Sequence, residues 1–145
     1  MTQILVVPAS LPKRLAASLY DALLIVALWF VLGFAALLVT GGEAVPRGNP
    51  LFSVVIYAAT ASFFIGFWSK GGQTLGMRAW RLQVRREDGG PVTPAIAALR
   101  LICAIPSWLL LGLGMWNILL DSRRRSWHDR LSRTEVVYIP APPRT

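Results

Sequence analysis

No residue from Ala22 to Thr40 is charged, and nearly all of them are apolar. Those nineteen residues, wound as a helix, rise about 28 Å, close to the hydrocarbon thickness of about 30 Å. The run therefore predicts a transmembrane helix. Its entrance is unusual. Arg14 and Asp21 stand seven residues apart, so two helical turns put them on one face, with Ser18 between them. An acid at the bilayer centre costs about 3 kcal/mol, less near the boundary. Asp21 is thus either a functional group in need of a partner or a hydrated group at the headgroup level beside Lys13 or Arg14. Ser10 is placed to cap the helix and Pro12 is tolerated in its first turn. Tyr20 fits an interfacial anchor.

A second uncharged run, Leu51–Trp68, follows Gly41–Pro50, a loop rich in turn formers. Its small-residue middle at 58–62 predicts a packing seam against the first span, and Trp68 is expected to close it at the interface. A third apolar segment, 95–120, is interrupted by Arg100, Pro106, Gly112 and Gly114. It reads as one kinked helix with a snorkelling arginine, or as two half-length helices forming a broken, re-entrant hairpin buried in protein. Charge favours the second. Lys13 and Arg14, then Lys70, Arg78, Arg81, Arg85 and Arg86, then the arginines at 123–125, 130 and 133 are the basic regions, whereas the first loop holds only Arg47. Cytoplasmic loops concentrate Lys and Arg, and three plain spans would put the last cluster outside. Both termini are therefore expected in the cytoplasm.

The fold class expected is an all-α membrane protein with two full transmembrane helices, at about 15–40 and 51–68, a third broken or re-entrant apolar segment at about 96–120, and a small cytoplasmic β-hairpin. The hairpin is expected at about 80–92. Trp80, Leu82 and Val84 alternate there with Arg81, Gln83 and Arg85, Asp88-Gly89-Gly90 is a turn signal, and Val92 opens a return strand. Residues 135–139 also have strand composition, and 1–9 either lie on the membrane or add an edge strand. One domain accounts for 1–140, with 141–145 as a disordered tail. The first helix is expected to stay uncleaved, because its apolar run is too long for a signal peptide and no small-x-small site follows it.

Composition narrows the function. Fifteen Lys and Arg against seven acids give a net charge of +8. These charges flank apolar runs, so topology explains them better than nucleic acid does. Cys103 is the only cysteine, which excludes an intrachain disulfide. One Cys and one His make a closed zinc site improbable. The glycines at 71–76 lack P-loop spacing and the Lys-Ser/Thr ending. His128-Asp129 is the one His–carboxylate pair, and neither Ser126 nor Ser132 stands out as a nucleophile. No catalytic group, cofactor, metal or enzymatic activity is expected.

Four stretches together carry a resemblance: ArgLeuAlaAlaSerLeuTyrAsp at 14–21, GlyGlyGlnThrLeuGly at 71–76 with the following RLQVRREDGGPVT, Arg100, and TrpHisAspArgLeuSerArgThrGluValVal at 127–137. In that order they resemble the RDD family of small bacterial membrane proteins, named for one arginine and two aspartates. The resemblance assigns those name-giving roles to Arg14, Asp21 and Asp129. It makes Gly72, Gln73, Thr74, Gly76 and Arg78 a loop motif. The family pattern often has Lys where Met77 stands here, with Arg78 the nearest replacement charge, so no role carries over for that lysine. It implies the bacterial inner membrane, and transport has been suggested for the family, including monovalent cation/proton exchange.

Two functions then compete. In one, the chain is an oligomeric transporter of a small ligand or of cations and protons, with Asp21 at its centre. In the other, it is a structural module in which Arg14, Asp21, Arg100, Asp129 and His128 form a polar clasp, Arg100 pairing with Asp21, and the basic loop binds membrane lipid or a partner membrane protein.

Overall fold

The computed structural model describes residues 7–110 and 112–140; the tail expected at 141–145 lies outside them. Helix α1 runs Leu11–Val39 and starts at Ser10, with Pro12 in its first turn. At about 1.5 Å per residue it is longer than the hydrocarbon core. Its buried residues, Arg14, Ala17, Asp21 and Ile25, fall on a single stripe near its start. Beyond them its surface is apolar and open, with Phe30, Val31, Phe34 and Leu38 exposed. Helix α2, Pro50–Gly71, begins where Asn49 accepts a hydrogen bond from the Phe52 amide at 3.0 Å. It ends at Gly72, whose φ of +66° is the left-handed conformation that glycine adopts most readily. Both helices are long and apolar enough to cross a membrane.

The expected seam between α1 and α2 is slight. The Trp29 indole donates to the Thr60 hydroxyl at 2.9 Å, but α2 lies mainly against the later helix α4, Pro94–Leu109, and α1 against the short helix α3, Leu75–Ala79. Trp68 is also not an interface anchor: it is buried in the core.

After α3 comes strand β2, Leu82–Arg86, at the place the alternation predicts. The hairpin does not form. The turn at 86–90 is made, with the Arg86 amide donating to the Gly90 carbonyl at 3.1 Å and Gly89 at φ +80°, yet it leads to Thr93 and α4 rather than to a return strand at Val92. The partner of β2 is β3, Thr134–Tyr138, in antiparallel register with Leu82 opposite Tyr138 and Arg86 opposite Thr134. A two-residue strand β1, Val7–Pro8, pairs with the other edge of β3, giving the order β1-β3-β2. Val92 joins Ala9, Ala17, Trp68, Met77, Leu82, Val84, Ala97 and Val136 in the hydrophobic core, between sheet and helix ends.

The third apolar segment is broken. α4 stops at Leu110, Gly112 takes φ +75°, and α5, Leu113–Trp116, with the 3-10 turn Asn117–Leu119, leaves at 104° to α4. Gly114 folds back so tightly that a Cβ would fall 1.9 Å from the Ser107 hydroxyl. Helix α6, Trp127–Leu131, then leads into β3. The sheet thus gathers chain from before α1, after α2 and after α5.

Gly76 is where α3 meets α1. A Cβ there would lie 2.3 Å from the Ala17 carbonyl oxygen and 2.9 Å from Asp21 Oδ1. A backbone oxygen cannot step aside. Gly76→Ala should lower stability in detergent by about 1–3 kcal/mol, the usual penalty for overpacking. Gly66→Ala, where nothing lies within 4 Å, should leave the melting temperature unchanged or raise it. Equal effects would contradict the close approach.

Candidate functional site

α1, α4 and α6 each bring one charged residue to a common point. Asp129 sits at the third position of α6 and one of its oxygens, Oδ2, accepts from the Ser126 amide at 2.9 Å, closing the first turn of its own helix. The same Oδ2 receives Arg14 Nη1 from α1 at 2.5 Å, while Oδ1 receives Arg100 Nη1 from α4. Arg14, Arg100 and Asp129 are buried, Asp129 completely.

The guanidiniums also hold backbone and side chains around them. Arg14 Nη2 donates to the carbonyl of Arg124 at 2.8 Å and more weakly to that of Val136 in β3. Arg100 Nη1 donates to the Thr134 hydroxyl at 2.7 Å. The Thr134 hydroxyl lies 2.9 Å from that of Ser132, which donates to the His128 carbonyl at 2.6 Å. The Arg100 guanidinium stands 5.0 Å from the Trp68 ring centroid, a cation–π distance. Lys13 lies 3.5 Å over Tyr138, so the start of α1 meets β3 twice.

Burial opposes the charge on Asp129, but the guanidiniums of Arg100 and Arg14 outweigh it and hold the carboxyl below its usual range. His128 behaves differently. Burial first, and the nearby Arg100 second, push its pKa down from 6.5 to about 3. It is neutral at pH 7, and its Nε2 lies 3.0 Å from the Ser126 hydroxyl and 3.8 Å from Asp129 Oδ1. That is a hydrogen-bonded core histidine, without an ion pair.

Asp21 is not part of this cluster, and its expected pairing with Arg100 is not made. Its Oδ2 accepts from the Thr74 hydroxyl at 2.5 Å and its Oδ1 from the Gly76 amide at 2.9 Å. Thr74 also caps α3 by accepting from the Met77 amide. The physical reason is topological: the Asp21 level of α1 faces α3, whereas Arg100 faces α6. Of the remaining loop residues, Gln73 donates to the Leu82 carbonyl at 2.7 Å, and Gly72 leaves room for the Val84 carbonyl, 2.3 Å from where its Cβ would be. Arg78 is exposed. Thr134, Ser126 and the Arg124 carbonyl were not legible as site groups. A serine three residues before Asp129, a capping-box spacing, is the signal by which Ser126 can be found in the sequence. Among the described residues no cluster of His, Cys, Asp and Glu is arranged to hold a metal.

These features define a small helical membrane protein in which a buried arginine–aspartate–arginine cluster fastens a sheet-bearing cap onto apolar helices. The chain belongs to the RDD family, which it matches over residues 8–133. No curated protein and no solved structure matches it.

Removing one partner of a buried ion pair leaves the other charge stranded, at about 3–5 kcal/mol. Arg100→Gln and Asp129→Asn should each cost that order in detergent, and the double change should cost clearly less than their sum. Additivity would show that the pair is not coupled. pH gives a second check. The unfolded chain takes up a proton on His128 near pH 6.5, whereas the folded chain resists until about 3. Protons therefore favour unfolding, and His128 contributes stability that is full above pH 6.5 and is lost as pH falls from there towards 3. The melting temperature should drop between pH 7 and pH 5, and His128→Gln should flatten that drop.

Proposed function

We propose that this chain is a structural and assembly module of the bacterial inner membrane. One observation carries the reading: Asp129 joins Arg14 of α1 and Arg100 of α4 to α6, while the same arginines reach Val136 and Thr134 of β3. Every charged group of that cluster is tied to a separate element, which is the arrangement of a clasp. The apolar faces of α1 and α2 carry few buried residues. They are surfaces for lipid and for a second copy or a partner membrane protein.

We further infer that α1 and α2 cross the membrane, that α4 and α5 form a re-entrant pair, and that both ends of the chain are cytoplasmic. Support comes from the sheet. β2 precedes α4 and β3 follows α5, yet they are hydrogen-bonded neighbours, so the segment between them returns to the side it left. The basic residues of the 70–86 region and of 123–133 fall on that side, as the positive-inside rule requires. Reporter fusions at Gly42, Gly89 and Pro140 should read outside, inside and inside. An external reporter at Pro140 would require a third crossing.

Transport is the second reading, favoured by a cavity of about 940 Å³ whose lining includes Asp21 and Arg100. A proton–cation exchanger needs a carboxylate that changes partners. Asp21 instead has both oxygens committed to α3, which makes it a strut between helices. Proteoliposomes of the purified chain should show no proton-coupled flux of Na⁺ or K⁺, and Asp21→Asn should lower thermal stability. Flux abolished by Asp21→Asn with stability intact would replace the module by an exchanger.

A further inference from the structure

The same cavity has a composition that a clasp does not need. Its walls are apolar, with Ile25, Trp29, Phe64, Leu101, Ala104 and Trp108 among them. Its polar lining mixes two guanidiniums and ring nitrogens with one carboxylate and three hydroxyls. Arg14, Trp68, Arg100 and His128 all line it and all are more than nine-tenths buried. Arg14 Nε, Arg100 Nε, Trp68 Nε1 and His128 Nδ1 have no hydrogen-bond partner among the described residues. Arg100 uses only Nη1 for Asp129 and Thr134. Two guanidiniums share one carboxylate, so the cluster holds one positive charge in excess. Those four nitrogens are closed off from the cavity as well as from solvent, so the group an anion would meet is Arg100 Nη2, which makes no hydrogen bond among the described residues; a buried surplus charge is costly until an opposite charge meets it.

Asp21 also lines the cavity. Both its oxygens are taken by Thr74 and Gly76, so it offers no free acceptor. A volume of about 940 Å³ lies within the range of about 300–1,000 Å³ that encloses one small ligand. We propose that this cavity binds a single-chain amphiphile with one anionic head, the head against Arg100 and the chain between α1 and α4. A long-chain carboxylate and a lysophospholipid with a phosphodiester head share that chemistry. The proposal goes beyond the clasp, which holds the cap whether or not the cavity is occupied.

The test uses the full purified chain in mild detergent, with native mass spectrometry to count bound molecules. Palmitate, hexadecanol, lysophosphatidylglycerol and phosphatidylglycerol are the probes. One palmitate or one lysophosphatidylglycerol per chain is expected, with hexadecanol at least about tenfold weaker because it lacks the charge. Which of the two anions is retained identifies the source. Ala104→Phe and Ala22→Phe fill the cavity without touching the cluster. Each should reduce anion binding about tenfold, and melting temperature reports whether the clasp is intact. Equal binding of palmitate and hexadecanol would overturn the role of the head. Binding undiminished in both variants while they remain folded would overturn the location. Preferential retention of phosphatidylglycerol would overturn the single chain.

Discussion

Two arginines on one buried aspartate is the interaction on which this structure depends. Taking an ion out of water costs several kcal/mol, and a pair repays this only with good geometry and with its remaining hydrogen bonds filled. Asp129 meets that condition. Its oxygens receive both guanidiniums and a backbone amide. The arginines are less complete, because each leaves its Nε without a partner. The cluster sits where helices meet sheet, at the end of the apolar spans. Carbonyls of Arg124 and Val136 and the hydroxyl of Thr134 can reach it there. Deeper in the spans α1 and α2 are almost wholly apolar.

The long elements were legible because hydropathy is a local property. The runs at 22–40 and 51–68 appear as α1 and α2, and the break at Gly112 appears as the bend between α4 and α5, whereas α4 runs on through Pro106. Strand β2 was legible from alternation and β3 from its composition. Their pairing was not, because it joins Val84 to Val136 across a whole apolar segment. The Asp-Gly-Gly turn is real, but a turn fixes direction and not the partner. Likewise the sequence placed Arg14, Arg100 and Asp21 near one membrane boundary without saying which faces which. Asp21 points to α3, and only the fold-back of α6 decides that Asp129 takes both arginines.

The glycines of the 71–76 stretch show the same limit from another side. The sequence marks them as a loop. The structure shows why side chains are excluded at two of them: Gly72 faces the Val84 carbonyl of β2, and Gly76 faces the Ala17 carbonyl of α1. With Thr74 on Asp21 and Gln73 on Leu82, the stretch bonds to α1 at one end and to β2 at the other. It couples the first helix to the sheet independently of the arginines.

The broken third segment follows from that coupling. β3 lies between β1 and β2, so its chain must come back to the side from which α4 departs. A straight helix over 94–120 would carry Asp129 to the far end of the apolar helices, away from Arg14 and from its place in the sheet. The amides flanking the bend stay bonded within the protein, as an apolar setting requires. The Leu110 amide reaches Pro106, the Gly112 amide reaches Trp108, and the Met115 amide returns to Gly112. Asn117 then donates its side-chain amide to the Arg125 carbonyl, tying the returning arm to the loop before α6. Leu109, Leu113, Trp116 and Leu120 face outward and give the bend an apolar surface. The bend is therefore set by the clasp at one end and covered by its own leucines at the other, and neither end alone determines it.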